Sequence, residues 1–337
     1  MTINVMRLKH WIDPSFDEII RAHPEIQLSI LDQDSAPEIN WEVLSRTNIY
    51  HISVAKDEVP PQWQVTASLL EKCPQLKVVS TAGAGYDTVD VAACTERGVL
   101  VVNQAGGNAE SVAEHTFALM LALSCRIVES DLALKHKSGF SREDLMGHEL
   151  AGKVLGLVGI GHIGARVAEL ASAFRMKVLA FDPHLDDATI RSRGGIPSTL
   201  QKLLHDSDIV SLHCPRTTET TNMFGASQFG QMKKGALFIS TARGGIHDED
   251  ALYHSLIDSD LGGAGLDVWL TEPPSQDHPL LTLPNVVSTY HTAGVTHEGR
   301  RNIATISAQQ IVDICSGRKP PRMLNAEVYP EAVSGLV

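Results

Sequence analysis

Alternation of β-like and helix-like runs restricts the fold of this chain more than any other feature of its sequence. Short apolar runs rich in β-branched residues alternate with amphipathic runs up to about Asn108, and the same alternation resumes at Lys153. Strands that are separated by helices pair in parallel, and the helices then cover both faces of the sheet. We therefore predict an α/β fold with two doubly wound parallel sheets, one for each series.

The individual elements are predicted from hydrophobic periodicity. The first series contains the strands "IQLSIL", "IYHISVA", "LKVVSTA" and "VLVVNQA" and the helices "PSFDEIIRAH", "QVTASLLEKC" and "TVDVAACTER". The second series contains the strands "KVLGLVGI", "KVLAFD", "IVSLHC", "ALFIST", "GAGLDV" and "NVVSTY". Residues 108–137, between the two series, predict one long helix that connects the domains.

The connecting helix has a candidate start signal and an apolar face. Ser111 fits the N-cap position, and Glu114, three residues later, would complete a capping box. The apolar face consists of Val112, Phe117, Leu119, Met120, Leu121 and Leu123. Such a face is compatible both with burial in a domain core and with contact between two copies of the chain.

Length, charge and cysteine usage narrow the class of protein. A chain of 337 residues is longer than one core usually spans, so two domains are expected. With Lys+Arg at 28 and Asp+Glu at 40, the net charge of -12 argues against a nucleic acid or an anionic membrane as partner. The 5 cysteines form no CxxC pair and no metal-type cluster, so we expect no metal site and a reducing, cytoplasmic setting. We expect no signal peptide, and the longest apolar run, Phe117 to Leu123, is too short to span a bilayer.

Three glycines in the second series have the spacing of a dinucleotide-binding turn. Gly159, Gly161 and Gly164 form a GxGxxG pattern after the strand-like run Val154 to Val158 and before a helical run. In that context the turn directs helix-start amides at a pyrophosphate, so an acidic protein can hold an anionic dinucleotide without a basic patch. The next strand ends on Asp182, whose carboxylate can accept hydrogen bonds from ribose hydroxyls. The alternative is a tight glycine-rich turn followed by an incidental Asp.

Three polar residues follow later strands of the second series. Arg243 comes after "ALFIST", Glu272 after "GAGLDV" and His291 after "NVVSTY". Ligands of open α/β sheets bind beyond the carboxyl ends of the strands, where these residues fall. An Arg can fork a carboxylate, a His can donate a proton near neutral pH, and a Glu can orient that His. Taken singly, Arg243 could cap a helix or form an ion pair, Glu272 could be a solvated loop charge, and His291 could be an ordinary polar residue at a strand end. Taken together, the three residues predict reduction of a 2-keto acid by hydride transfer.

From about Leu76 to about Asn325 the sequence resembles the D-isomer-specific 2-hydroxyacid dehydrogenases, a family that includes glyoxylate and hydroxypyruvate reductases, D-lactate dehydrogenases and 3-phosphoglycerate dehydrogenases. The motifs occur in the family's order and with similar spacing. They are "TAGAGYDTVD", "NQAGGNAESVAEHT", "GLVGIGHIGARVAEL", "SLHCPRTTETTNMFG", "MKKGALFISTARGGIHDEDAL", "GAGLDVWLTEPP" and "HPLLTLPNVVSTYHTAG".

The resemblance implies a role for each candidate catalytic residue. Arg243 would bind the substrate's carboxylate and carbonyl, His291 would be the acid/base, and Glu272 would hold and tune His291. The implied substrate-binding residues, besides Arg243 and His291, are Ala82, Gly83, Ala84, Gly85 and Asn108.

NAD is the implied cofactor, and Asp267 would lie near its nicotinamide carboxamide. The other implied cofactor-binding residues are Gly159, Gly161, His162, Ile163, Gly164, Asp182, His213, Cys214, Pro215, Thr241 and Ala242. Two departures from the family pattern bear on substrate choice and local electrostatics. Tyr290 stands where Pro usually precedes the catalytic His, and His247 replaces a common Val.

The resemblance also implies how the chain is divided. Residues 1–108 and 296–337 would form a flavodoxin-like substrate domain, and residues 109–295 would form a Rossmann NAD-binding domain inserted into it. A homodimer through the long helix is implied. The expected substrate is a small 2-keto or D-2-hydroxy acid, with a glyoxylate- or hydroxypyruvate-like compound favoured. Two alternatives stay open: phosphoglycerate dehydrogenase-type activity, and a non-enzymatic NAD(H)-sensing protein of the corepressor kind.

Overall fold

The computed structural model describes residues 2–336. Met1 and Val337, which end the predicted substrate-domain segments, lie outside the described residues. The chain divides into two units by its internal contacts. One, here called the outer unit, extends to Asn108 and resumes at His297, and the other, the inserted unit, comprises Ala109–Thr296.

The secondary structure alternates along both units. The strands are β1 (Ile3–Leu8), β2 (Ile26–Leu31), β3 (Ile49–Ile52), β4 (Val78–Thr81), β5 (Leu100–Val102), β6 (Val154–Val158), β7 (Lys177–Phe181), β8 (Ile196–Pro197), β9 (Ile209–Leu212), β10 (Ala236–Ser240), β11 (Leu261–Leu266) and β12 (Val286–Ser288). The helices are α1 (Ser15–Arg21), α2 (Pro37–Ser45), α3 (Ala67–Lys72), α4 (Val91–Glu96), α5 (Ala109–Ser124), α6 (Ile127–His136), α7 (His162–Ala173), α8 (Asp187–Ser192), α9 (Leu200–Asp206), α10 (Ala226–Phe229), α11 (Glu249–Ile257) and α12 (His297–Cys315). Short 3-10 turns occur at Pro61–Trp63, Glu143–Leu145, Pro279–Thr282, Ala326–Val328 and Glu331–Val333.

The outer unit is built on a parallel sheet with the order β2-β1-β3-β4-β5. This is the flavodoxin-like order. Because successive side chains of a strand point to opposite faces, β1 buries Val5 in one hydrophobic cluster and Met6 in another. The cluster around Val5 includes Phe16 of α1 and Ile311 of α12, so the last long helix completes the core of the first sheet.

The inserted unit is built on a parallel sheet with the order β12-β11-β10-β9-β6-β7-β8. The order reverses beside β6, which is the first strand of this unit, as in dinucleotide-binding sheets with one added strand. The predicted fold class, two doubly wound parallel α/β units, is confirmed. Within the described residues, no helix combines the length and apolar character needed to cross a membrane.

In the first series, one strand and one α-helix were missing from the predicted list. Strand β1 ("INVMRL") carries Asn4 and Arg7, which interrupt its apolar run. Arg7 is buried because its guanidinium pairs with Asp17 at 2.9 Å, a partner that periodicity does not reveal. Helix α2 has only Asn40 and Leu44 buried, so its amphipathic signal is weak.

The prediction of one continuous helix over residues 108–137 is wrong. Helix α5 ends at Ser124 and α6 begins at Ile127, with Arg126 between them in the left-handed region at φ 52°. The Arg126 guanidinium pairs with Glu129 and donates to the Asp144 carbonyl at 2.6 Å, which stabilises the break.

The predicted N-cap of this helix is also wrong. Helix α5 already begins at Ala109, so Ser111 lies inside it, and its hydroxyl oxygen is 2.7 Å from that of Thr296. The predicted apolar face packs into the core of the inserted unit. Phe117, Leu119 and Met120 are buried in that core, Leu121 and Leu123 are partly buried against it, and Val112 is buried as well.

Candidate active site

The glycine turn after β6 leaves open space in front of a helix start. Gly159 has φ 90°, and a Cβ there would lie 2.8 Å from the backbone nitrogen of Cys214. A Cβ at Gly164 would collide with the Gly159 carbonyl, whereas one at Gly161 would meet no atom within 4 Å. Gly159 and Gly164 are therefore required by packing, and Gly161 leaves room at the start of α7. The first amides of that helix, from His162 and Ile163, suit a pyrophosphate.

Asp182 is fixed beside this turn. It follows β7, and its two carboxylate oxygens accept hydrogen bonds from the backbone N–H groups of Ile160 and His184, each at 3.1 Å. The carboxylate therefore lies at the end of the second strand of the unit, the position of the ribose-binding acid in dinucleotide-binding sheets.

The loop after β9 meets the glycine turn through its backbone. The His213 ring is turned inward, with Nε2 2.9 Å from the Ser211 hydroxyl, and burial lowers its pKa to about 3. Burial raises the pKa of the Cys214 thiol to about 11, so this group is not a nucleophile at neutral pH. Pro215, which follows, is exposed. The cofactor contacts of residues 213–215 stay a prediction, and at neutral pH these residues offer neither an imidazolium nor a thiolate.

The loop after β10 presents the candidate arginine. Thr241 is tied to α5 by a 3.0 Å contact between its hydroxyl and that of Thr116. Ala242 is buried, and its carbonyl accepts a 2.7 Å hydrogen bond from Nη1 of Arg243. Gly244 lies against the carbonyl of Trp269, where a side chain would collide. The turn that follows Arg243 is thus packed on the loop that follows β11.

Glu272 and His291 form a direct pair. His291 Nδ1 is 2.8 Å from Glu272 Oε2, and Glu272 Oε1 accepts the backbone N–H of Trp269 at 3.1 Å. Burial by itself would raise the pKa of Glu272, but the hydrogen bond and charge of His291, the Trp269 N–H and the nearby Arg243 hold that pKa below its ordinary value. Glu272 is therefore a carboxylate that fixes one ring nitrogen of His291 and leaves Nε2 for a substrate.

Asp267, predicted near the nicotinamide, is buried below His291. Its carboxylate accepts hydrogen bonds from the Thr289 hydroxyl at 2.6 Å and from the backbone N–H groups of Thr292 at 2.8 Å and Ala293 at 3.0 Å. Sequence reasoning included neither Thr289 nor its other neighbour, His115. No sequence signal identifies them, because helix periodicity does not say which distant loop a helix will touch.

The predicted substrate residues Ala82, Gly83, Ala84 and Gly85 form the turn after β4 of the outer unit. The carbonyls of Gly83 and Ala84 accept hydrogen bonds from Gln104 N and Asn103 Nδ2, both at 2.9 Å. The N–H groups of residues 83–85 have no acceptor among the residues that the structure describes. Asn108, the last residue before α5, is half-buried. In the part of the chain covered by the structure, no cluster of three His, Cys, Asp or Glu side chains could hold a metal ion.

At the carboxyl ends of the strands of the second sheet, the chain thus carries a dinucleotide-type glycine turn and a hydrogen-bonded Glu272–His291 pair near Arg243. This combination defines nicotinamide-dependent oxidoreductases as a class. The model of the "D-isomer specific 2-hydroxyacid dehydrogenase, NAD binding domain" family matches residues 117–293. The chain belongs to the D-isomer specific 2-hydroxyacid dehydrogenase family, and the family and the NAD cofactor predicted from the sequence are confirmed.

Relatives with different names match the chain. A glyoxylate reductase of Korarchaeum cryptofilum is 36% identical over 83% of this chain and 91% of its own length. A D-3-phosphoglycerate dehydrogenase of Archaeoglobus fulgidus is 41% identical over 77% of this chain but only 49% of its own length, so this chain spans about half of that relative. The crystal structure of Aquifex aeolicus D-lactate dehydrogenase, complexed with NAD and lactic acid, superposes with a TM-score of 0.78 at 30% identity, covering 97% of this chain and 98% of that one.

Proposed function

We propose that this chain interconverts a small 2-keto acid and the corresponding D-2-hydroxy acid, with a glyoxylate- or hydroxypyruvate-like substrate favoured. The observation that carries the proposal is the 2.8 Å Glu272–His291 pair beside Arg243, on the sheet that bears the glycine turn. Relatives named glyoxylate reductase and hydroxypyruvate reductase support the substrate class, the latter from Thermotoga maritima at 38% identity over 74% of this chain.

Each side chain has a defined task in this proposal. Arg243 binds the substrate carboxylate and polarises the keto oxygen, since a guanidinium offers two parallel donors. His291 donates a proton from Nε2 to the keto oxygen, and in the reverse direction it accepts the hydroxyl proton. Glu272 accepts a hydrogen bond from Nδ1 and orients the ring. NADH, when bound at the start of α7, supplies the hydride that reduces the keto carbon.

We propose that NADH is preferred over NADPH. The Asp182 carboxylate, fixed by two backbone N–H groups, would repel a 2'-phosphate and accept hydrogen bonds from free ribose hydroxyls. We further propose that the outer unit binds the substrate through residues 82–85 and Asn108. The unsatisfied N–H groups of the turn after β4 support that assignment, because a carboxylate accepts such donors.

We also propose a homodimer, with a second copy covering α6 and its neighbourhood. Three apolar side chains of this helix are at least half exposed: Ile127 (54%), Leu132 (50%) and Leu134 (78%). The nearby Met146 is 69% exposed, so apolar side chains are unusually concentrated on this surface. Sedimentation velocity of the full chain tests the homodimer. We expect a dimer at micromolar concentration, and a monomer would contradict the proposal.

The test of the function is a panel of 2-keto acids with NADH and with NADPH, followed by absorbance loss. Glyoxylate, hydroxypyruvate, pyruvate, phenylpyruvate and 2-ketoisocaproate are compared, with 3-phosphohydroxypyruvate added for the phosphoglycerate dehydrogenase alternative. We expect turnover of glyoxylate or hydroxypyruvate with NADH, and slower turnover with NADPH. Tight NADH binding without turnover of any keto acid would overturn the proposal in favour of an NAD(H)-sensing protein.

A further inference from the structure

Two adjacent residues of α5 touch two of the three loops that carry the candidate catalytic side chains, those of His291 and Arg243. His115 Nε2 lies 2.9 Å from the Thr289 hydroxyl, two residues before His291. Thr116 Oγ1 lies 3.0 Å from the Thr241 hydroxyl, two residues before Arg243. Because α5 is packed in the core of the inserted unit, it offers these loops a rigid support.

The hydrogen bonds from His115 have one consistent direction. Thr289 donates its hydroxyl hydrogen to Asp267 Oδ1 at 2.6 Å. The Thr289 oxygen can therefore only accept from His115, so Nε2 of His115 carries a hydrogen and donates it. The same nitrogen is 3.7 Å from Asp267 Oδ1, so the imidazole, the threonine hydroxyl and the carboxylate form a compact triangle.

Asp267 in turn encloses the backbone around His291. Its carboxylate binds the N–H groups of Thr292 and Ala293, and its own carbonyl accepts the N–H of His291 at 2.7 Å. Asp267 is 1% exposed, so these bonds are shielded from water. His291 has φ 45°, a left-handed conformation that a residue with a side chain keeps only when its surroundings enforce it.

We infer that His115 is a positioning residue for His291. It fixes the Thr289 hydroxyl, which together with the Asp267 carboxylate holds the 289–293 turn closed and keeps His291 within reach of Glu272. The inference rests on the proposed function for its catalytic consequence, but the closure of the turn can be measured without turnover. It assigns His115 a role in proton delivery although its ring touches neither Glu272 nor His291.

The test compares His115→Leu, which removes the donor, with His115→Gln, which keeps an N–H donor. Glu114→Gln, at the exposed preceding position of α5, is the matched control. Hydrogen–deuterium exchange followed by mass spectrometry reports on the 289–293 turn, and steady-state kinetics with the best keto acid of the panel separates kcat from KM.

In His115→Leu we expect about tenfold faster exchange in the 289–293 turn and about tenfold lower kcat, with KM for the keto acid and NADH affinity within about twofold of the parent. His115→Gln should recover both to within about threefold, and Glu114→Gln should match the parent. Parental exchange and kcat in His115→Leu would overturn the inference, as would faster exchange across the whole inserted unit without rescue by Gln. If the parent reduces no keto acid, the proposed function fails, and the exchange data alone still decide whether His115 holds the turn.

Discussion

Individual side chains obtain their chemistry in this protein from their immediate neighbours. Glu272 is a carboxylate because His291, the Trp269 N–H and Arg243 outweigh its partial burial. His291 is oriented because one ring nitrogen is bound to that carboxylate. Arg243 lies in a turn whose next residue must be glycine, since the Trp269 carbonyl occupies the space of a side chain.

Arg243→Lys keeps the positive charge but loses the planar fork, so we expect kcat/KM for the keto acid to fall. The loss of a charge-assisted hydrogen bond, about 1.5 to 3 kcal/mol, corresponds to roughly 10- to 150-fold. Steady-state kinetics measures the fall, and Arg191→Lys, at an exposed position, is the control. Parental kcat/KM in Arg243→Lys would reduce this arginine to a structural role.

The residues Arg243, Glu272 and His291 could be predicted from sequence because the carboxyl ends of parallel strands share one edge of a sheet. The contacts that hold these residues in place could not be predicted from sequence. His115 and Thr289 are 174 positions apart in the chain, and their contact depends on how α5 lies across the sheet. The depressed pKa of Glu272 could not be predicted either, because burial raises it and three partners, His291, the Trp269 N–H and Arg243, lower it only once the chain has folded.

Among the secondary-structure elements, hydrophobic periodicity predicted the strands with unbroken apolar runs. It failed where tertiary contacts determine whether an element forms or where it ends. Strand β1 was not predicted because the burial of Arg7 depends on its ion pair with Asp17. The break before α6 was not predicted because it depends on the contacts of Arg126 with Glu129 and with the Asp144 carbonyl. The glycine turn could be predicted because each glycine meets a requirement of the backbone at a fixed distance along the chain. Gly159 and Gly164 avoid collisions with backbone atoms, and Gly161 leaves space at the start of α7.

Two glycines of this turn should respond differently to alanine. Gly164→Ala places a Cβ against the Gly159 carbonyl, so we expect a lower melting temperature and loss of NADH binding. Gly161→Ala meets no protein atom within 4 Å, so the melting temperature should stay within about 2 °C while NADH affinity falls, because the new methyl group occupies the space of the pyrophosphate. Calorimetry and fluorescence titration measure the two effects. Parental NADH affinity in Gly161→Ala would place the pyrophosphate elsewhere.

At the scale of the whole molecule, buried histidines link stability to pH. Burial lowers the pKa of His51 to about 3 and that of His247 to about 4, and both rings are at most 1% exposed. The unfolded chain takes up a proton at each of them near pH 6.5, whereas the folded chain does so only near those lower values. Between these limits the unfolded state binds more protons, so acid favours unfolding.

We therefore expect the free energy of unfolding to fall as pH decreases from about 6.5 to 4, by up to about 1.4 kcal/mol per pH unit for each of these histidines. His247→Val should reduce the slope by about that amount, because it removes one of the buried histidines that titrate in this range. His136→Gln, at an exposed position, should leave the slope unchanged. Urea unfolding at several pH values measures the slopes, and the same slope in His247→Val and the parent would contradict the assignment.

In the proposed reaction, His291 delivers the proton to a 2-keto acid while NADH is held separately by the glycine turn. The most direct measurement is the turnover of the preferred keto acid by the parent and by His291→Ala, with NADH affinity determined by fluorescence on the same samples. We expect turnover to fall by about 10² to 10⁴ in His291→Ala while NADH affinity stays within about twofold of the parent. Parental turnover in His291→Ala would contradict this expectation.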